Sequence, residues 1–323
     1  MLVRICRHWS GNEKGNFMKV LSLNDLHPAD VLLFSPEKKS FISWAITFLT
    51  DAPVSHAAMY FETCPPTIVE ETPPQVTTNP AEKRFKGRTI HVYRHTTASP
   101  LTPVTQAARQ HLNNQEPYDH AGLYMVGLLL MYKKFSITNP KQQVIIRILK
   151  KLTATITQFI QQQQTPGKHP MVCSQFVAQC FEDAGSAFRL QFRHATQLDS
   201  AIGETLLDKA ADWMKQRQVT FNQYDMNAAP ETASDEALCE ALHHAFMDNN
   251  TQPTPAMTDA LAEAIYYFAQ AHASLLDLDT TVRRFDALAA LRSNQNMFVS
   301  PGDLMRHCTN LTPIGIVMIP TNN

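Results

Sequence analysis

The chain has 323 residues, which is long enough to bury a sizeable hydrophobic core in one large domain or two smaller ones. Hydrophobic residues make up 44% of it and charged residues 18%, which is the composition of an ordinary globular protein. The net charge of -1, without basic clusters interleaved with aromatic residues, argues against a nucleic-acid partner.

The first part of the chain has the pattern of a helix among short antiparallel strands. Its apolar residues predict a turn at 27–30, a strand at 31–34, a helix at 40–50 and strands at 54–61, 67–71 and 89–93. Cys64-Pro65-Pro66 is expected to connect the second and third strands as a hairpin. These elements together predict a β-meander that follows a helix.

From residue 102 onward the pattern is mainly helical. Helices are expected at 102–132 with a break at 116–119, and at 141–164, 171–184, 200–217, 232–248, 255–273 and 278–292. A loop around 294–308 and a last strand at 314–319 complete the prediction. The apolar stripe of 141–164 indicates packing against the core or, as the alternative, a lid or membrane-facing element.

The N-terminus lacks the apolar segment of a secretory signal, and the longest apolar run, 122–132, is shorter than the roughly 20 residues of a membrane span. We therefore expect no transmembrane segment. The expected location is the cytoplasm, or outside the cell after export without a signal peptide, as for a secreted effector.

Six scattered cysteines in a chain of this length indicate a reducing compartment rather than a disulfide scaffold. No C-x-x-C pair and no zinc-type spacing occurs, so neither a metal nor a cofactor is expected. The cysteines are Cys6, Cys64, Cys173, Cys180, Cys239 and Cys308.

Cys173 is the cysteine whose position favours chemistry. It follows the helix-stopping segment 167–170 and so falls in the first turn of the helix predicted at 171–184. There the unpaired N–H groups and the positive end of the helix dipole lower a thiol pKa and are suited to stabilise an oxyanion. Cys180, two turns deeper on the same helix, is expected to be a packing residue.

A thiol nucleophile needs a base, and His56 in the strand at 54–61 is the candidate. Alternation places His56, Ala58 and Tyr60 on one face of that strand. The next strand carries Glu70 and Glu71, whose side chains point to opposite faces. Either glutamate could accept the second ring N–H of the histidine and fix its tautomer.

Several segments resemble the permuted NlpC-type papain-like proteins, the YiiX-like group related to lecithin:retinol acyltransferases. The segments are Leu26 to Phe34, Ser55 to Tyr60, Thr67 to Glu71, Pro117 to Asp119, Met171 to Val177 and Val299 to Leu304. Their order, strand histidine, polar residue and then helix cysteine, is the reverse of the order in papain. The resemblance covers roughly residues 26 to 190 and 297 to 306.

The resemblance implies that Cys173 is the nucleophile, His56 the base and Glu70 the orienting residue. It also implies that Tyr60, Tyr118 and Ser174 bind substrate. The implied fold is α+β, a circularly permuted papain-like core in which a helix packs on a short-stranded antiparallel sheet. The chain departs from the family in having Ala29 where glycine usually precedes the aspartate of the first motif.

A second departure is a stretch of about a hundred helical residues before the Pro301-Gly302-Asp303 segment. The expected domains are therefore an N-terminal extension at 1–25, a catalytic core at 26–195, a helical insertion or cap at 196–294 and a return to the core at 295–323.

The resulting function prediction is a bacterial cysteine hydrolase, a peptidase or amidase that cleaves an amide bond through a thioacyl intermediate. Two alternatives stay open. One is a lipid-directed acyl hydrolase or acyltransferase of the same fold. The other is an effector or binding module with a vestigial site, which would engage a protein partner through the helical insertion.

Overall fold

The computed structural model describes residues 18–37, 52–118, 138–162, 171–193, 206–218, 256–275 and 299–320, and single positions at 40, 43, 46, 47, 50, 237, 241 and 244. These residues form a mixed α/β fold with one six-stranded antiparallel sheet and seven helices. The strands are β1 (Val31–Phe34), β2 (His56–Thr63), β3 (Pro66–Thr72), β4 (Gln75–Pro80), β5 (Thr89–His95) and β6 (Leu311–Met318). The helices are α1 (Ala81–Phe85), α2 (Thr102–Asn114), α3 (Asn139–Gln162), α4 (Cys173–Asp183), α5 (Leu206–Arg217), α6 (Asp259–Leu275) and α7 (Pro301–Arg306).

The sheet has the strand order β4-β3-β2-β1-β5-β6, and all neighbouring strands are antiparallel. β1 lies inside the sheet and all four of its residues are buried, which explains why its sequence is an uninterrupted apolar run. β6 pairs with β5 from Thr89↔Met318 to His95↔Leu311. The last described segment of the chain therefore completes a sheet that the first segments begin.

Each face of the sheet carries its own apolar cluster. On one face, Ala57, Met59 and Phe61 of β2 belong to a cluster with Phe176 and Phe181 of α4. The other face has a second cluster, whose members include Phe34, Ala58, Tyr60, Ile68, Phe85 and Val92. α4 packs against β2, β3 and α2, so its first residue lies near the start of β2.

The backbone at 191–193 pairs with the backbone at 307–309. Phe192 forms an antiparallel bridge with Cys308. The Arg193 N–H donates to the His307 carbonyl at 2.7 Å, and the Thr309 N–H donates to the Gln191 carbonyl at 2.7 Å. Two segments that are more than a hundred residues apart in the sequence are therefore held side by side.

α3 packs against α6. Ile145, Ile148, Leu149, Leu152 and Ile156 of its apolar stripe are buried, and the Gln142 side chain accepts from Thr258 Oγ1 at 2.9 Å just before α6. Protein therefore covers these residues of the stripe, which argues against a membrane-facing helix. None of the described helices combines the length and apolar character that crossing a bilayer requires.

Most periodic segments fold as their sequences predict. The strands expected at 31–34, 54–61, 67–71, 89–93 and 314–319 are confirmed, with ends shifted by a few residues, and so are the helices expected at 141–164, 171–184, 200–217 and 255–273. The expected helices at 232–248 and 278–292 lie almost wholly outside the described residues, as do the helix at 40–50 in large part and residues 119–132.

Two expectations need correction. β4 was not predicted, because only Val76 of its six residues is buried and the strand lacks an apolar alternation. The loop expected around 294–308 contains α7, which Ser300 caps. The Ser300 Oγ accepts from the Asp303 N–H at 3.1 Å, and the Asp303 carboxylate accepts from the Ser300 N–H at 2.8 Å.

Ala29 occupies the position where the resembled family has glycine, and its backbone has a conformation that glycine adopts more easily than alanine. Its φ is 72°, in the left-handed region, which costs a residue with a Cβ about 1–2 kcal/mol. We expect Ala29→Gly to change the unfolding free energy by less than about 1 kcal/mol, because relief of strain offsets the lost methyl burial. Ala29→Val is expected to destabilise by about 2 kcal/mol or more, because a β-branched residue resists this φ and Ala29 is fully buried. Urea denaturation of both variants checks this, and equal effects would contradict it.

Candidate active site

Cys173 is the first residue of α4. It follows Val172, whose extended backbone (φ −96°, ψ 163°) marks the start of the helix. The Gln175 side chain accepts from the Val172 N–H at 3.3 Å, and the Val172 carbonyl accepts the first intrahelical bond, from the Phe176 N–H at 2.8 Å. Cys173 is only 4% exposed. The predicted place of this thiol, in the first turn of its helix, is confirmed.

Two backbone N–H groups donate to the Cys173 sulfur, those of Ala57 and Ser174. The Ser174 N–H belongs to the first helical turn, where no carbonyl of the helix accepts it. The Ala57 N–H comes from β2, whose pairing with β3 ends at Met59↔Val69. The start of β2 therefore extends beyond its ladder with β3 and offers this N–H to the thiol.

His56 is the first residue of β2 and lies between Cys173 and Glu70. Its Nε2 is 2.7 Å from Glu70 Oε2, and the imidazole also forms a hydrogen bond with Cys173. Because Nε2 is engaged by Glu70, Nδ1 is the ring nitrogen left to face the thiol. The Phe34 ring packs edge-on against the imidazole, with centroids 5.3 Å apart, and the histidine side chain stays 15% exposed.

Glu70 accepts hydrogen bonds from three side chains and is fully buried. Besides His56, its Oε1 accepts from Asn79 Nδ2 at 2.8 Å and from Arg84 Nε at 2.6 Å, and its Oε2 accepts from Arg84 Nη2 at 2.8 Å. Alternation along β3 sends Glu71 to the opposite face, where its charge acts on Cys180. Glu70 is therefore the glutamate that contacts His56.

The three side chains shift one another's pKa toward an ion pair. Burial on its own would raise the Cys173 pKa, but the charge and hydrogen bond of His56 and the two N–H donors lower it. Burial would lower the His56 pKa, yet Cys173 and Glu70 raise it to about 9. The Glu70 pKa falls to about 2, because hydrogen bonds from His56 and Arg84 outweigh burial. The lowered Cys173 pKa and the raised His56 pKa both favour a thiolate beside an imidazolium.

The other described cysteines differ sharply from Cys173. Burial raises the pKa of the Cys180 thiol well above its usual value, in agreement with a packing role. Burial also raises the pKa of Cys308, to about 11. Cys64 is exposed on the turn between β2 and β3.

The three residues expected to bind substrate lie in different surroundings. Tyr118 is half-buried and forms a bridge with Met171, two residues before Cys173. The Ser174 Oγ donates to the Val299 carbonyl at 2.7 Å, so its hydroxyl ties α4 to the segment before α7. The expectation that Tyr60 binds substrate is wrong. Tyr60 is 1% exposed and packs in the cluster that contains Phe34, so it cannot contact a substrate.

Asn79 and Arg84 are members of the site that sequence reasoning missed. Neither residue type nor spacing singles them out, because both reach Glu70 only through the pairing of β4 with β3 and the turn into α1.

Within the described ranges, no group of three or more His, Cys, Asp or Glu side chains is placed to hold a metal ion. The buried polar groups of the site are instead bonded to one another, from the Cys173 thiol through His56 to Glu70.

Neither the models of known protein families nor the curated proteins gave a match to the chain.

Proposed function

We propose that this protein is a cysteine hydrolase that cleaves an amide bond through a thioacyl intermediate, on a permuted NlpC-type papain-like core. The observation that carries the proposal is the buried chain of contacts from Cys173 through His56 to Glu70, with the thiol at a helix N-terminus. The chain order of histidine, glutamate and cysteine supports the permuted topology.

The proposed reaction uses each side chain in turn. The Cys173 thiolate attacks the substrate carbonyl carbon, and N–H groups at the start of α4 stabilise the oxyanion. The His56 imidazolium gives its Nδ1 proton to the leaving amine, which departs as the thioacyl bond forms. His56 then takes a proton from water, which attacks the thioester and releases the acid and the thiolate. Glu70 accepts the Nε2–H throughout and fixes the ring.

An amide substrate is favoured over a lipid. The apolar stripe of α3 would favour a lipid substrate if it faced a lipid surface. Its buried residues pack beside α6 instead. A vestigial site in a binding module is disfavoured by the complete bonding of Glu70, since a site without function is free to lose any of these contacts.

The first test of this function is selective modification of Cys173. At pH 6 an ordinary thiol, with a pKa near 8.5, is almost entirely protonated, whereas a thiolate paired with imidazolium persists. We expect a thiol-directed probe at pH 6 to label Cys173 at least about tenfold faster than exposed Cys64, as peptide mass spectrometry would measure. Labelling of Cys64 at an equal rate would contradict the proposal.

The second test is a panel of peptide, acyl-thioester and phospholipid substrates with the wild type and Cys173→Ala. Loss of the nucleophile is expected to lower amide hydrolysis by about a thousandfold or more. Hydrolysis that persists in Cys173→Ala would place the reaction elsewhere. Turnover of the phospholipid alone would replace the amide by a lipid ester.

A further inference from the structure

We propose that Arg84 and Asn79 are positioning residues of this site, which hold the Glu70 carboxylate in one orientation and through it fix the His56 imidazole. The inference rests on the proposed function, because it assigns these residues a part in activating Cys173. Neither residue touches the reacting atoms.

Four hydrogen bonds fix the orientation of the Glu70 carboxylate. The Arg84 guanidinium binds both Glu70 oxygens as a fork, Nε to Oε1 at 2.6 Å and Nη2 to Oε2 at 2.8 Å. Asn79 and His56 each add one donor, to Oε1 and Oε2 respectively. Each carboxylate oxygen therefore accepts two hydrogen bonds, and the carboxylate cannot turn without breaking some of them.

The path of the chain brings Asn79 and Arg84 to Glu70 together. Asn79 lies near the end of β4, opposite Ile68 of β3, and Glu70 of the same strand lies opposite Thr77. After Pro80 the chain turns into α1, which Ala81 and Phe85 anchor in the core. One short segment, 79–84, thus brings both donors to the same carboxylate.

Phe34 links the two ends of this arrangement. The Arg84 guanidinium lies 5.7 Å from the centroid of the Phe34 ring, and that centroid lies 5.3 Å from the centroid of the His56 imidazole. A guanidinium at this distance over an aromatic ring is attracted by its face. The guanidinium is therefore restrained by Glu70 and by Phe34, as a positioning group should be.

Arg84 also stabilises the charged form of Glu70. Glu70 is fully buried and would be costly to ionise without cationic donors. With Arg84 removed, its pKa rises from about 2 toward the mildly acidic range. A protonated Glu70 no longer attracts the imidazolium, so the Cys173 thiolate should be lost at a higher pH than in the wild type.

The experiment measures the rate of Cys173 alkylation by iodoacetamide between pH 4 and pH 9, with thermal unfolding recorded for each variant. In Arg84→Met we expect the acid limb to move to higher pH by about one unit, a tenfold loss of rate on that limb. Arg84→Lys keeps the charge without the fork and should recover part of the shift. In Glu70→Gln the further change Arg84→Met should alter the rate by less than about threefold, because both act through one carboxylate.

Arg109→Met is the matched control, since Arg109 forms an exposed ion pair with Glu62 at 3.0 Å and should leave the profile unchanged. If Arg84→Met does not fold, Asn79→Ala removes one donor from Oε1 and should shift the limb in the same direction by less. A folded Arg84→Met with a wild-type profile, or additive effects with Glu70→Gln, would overturn this inference and leave the proposed function intact. A wild-type Cys173 that does not react selectively would instead overturn the proposed function.

Discussion

His56→Ala is expected to lower the rate at which iodoacetamide alkylates Cys173 at pH 7 by about a hundredfold or more. Burial alone raises the pKa of this thiol, and the charge of His56 is the main influence that lowers it. Without the imidazolium, burial should keep the thiol pKa high, so that a much smaller fraction of the thiol is ionised at pH 7.

The pH profile separates this effect from a change in access to the thiol. The wild-type rate should change less than tenfold per pH unit between pH 6 and pH 8, because His56 lowers the thiol pKa and favours the thiolate. The His56→Ala rate should rise about tenfold per pH unit over the same range. His307→Ala, which removes an exposed histidine next to α7, is the control and should behave as the wild type. A His56→Ala rate equal to that of the wild type at pH 6 would contradict the ion pair.

Glu70→Gln is expected to lower the unfolding free energy at pH 7 by about 3 kcal/mol, besides impairing hydrolysis. The Glu70 pKa falls from 4.5 to about 2 on folding, and each unit corresponds to about 1.4 kcal/mol. Because the folded pKa is the lower one, this stability is present above pH 4.5 and is lost as the pH falls toward 2. The Glu70 side chain is fully buried, so solvent does not screen its interactions and this free energy is not reduced.

Urea denaturation of wild type and Glu70→Gln at pH 7, 4.5, 3 and 2 measures this difference. The two curves should approach each other as the pH falls toward 2, because the folded wild type takes up a proton on Glu70 in that range. Glu62→Gln is the control, and its exposed ion pair with Arg109 should contribute less than about 1 kcal/mol at any pH. A difference that does not depend on pH would mean that the Glu70 charge contributes nothing to folding.

Local patterns sufficed to predict most of this fold, because period-two and period-3.6 runs of apolar residues report directly on which face is buried. The first-turn position of Cys173 and the strand position of His56 follow from the same local rules. β4 escapes them because it lies at the sheet edge, where a single apolar side chain is enough. The Ser300–Asp303 capping box is itself a local signal, so α7 was predictable from sequence.

The rest of the site depends on strand register. To choose between Glu70 and Glu71 one must know which face of β3 lies toward His56 of β2. Residue spacing alone left both glutamates open, and the family resemblance favoured Glu70. Arg84 and Asn79 are further removed, because their role exists only once β4 pairs with β3 and α1 turns back over Glu70. Ordinary residue types at unremarkable spacing give no advance sign of such contacts.

The bridge between Phe192 and Cys308 joins two parts of the chain that are synthesised at different times. β1 to β5 and α4 are translated before the segment 194–298, whereas α7 and β6 follow it. At about 5–20 residues per second, about a hundred intervening residues take on the order of 5–20 s. During that interval the hydrogen-bonding edge of β5 has no β6 to pair with, and an unpaired edge invites pairing with other chains. The yield of folded protein should therefore depend on the rate of elongation through this segment as well as on equilibrium stability.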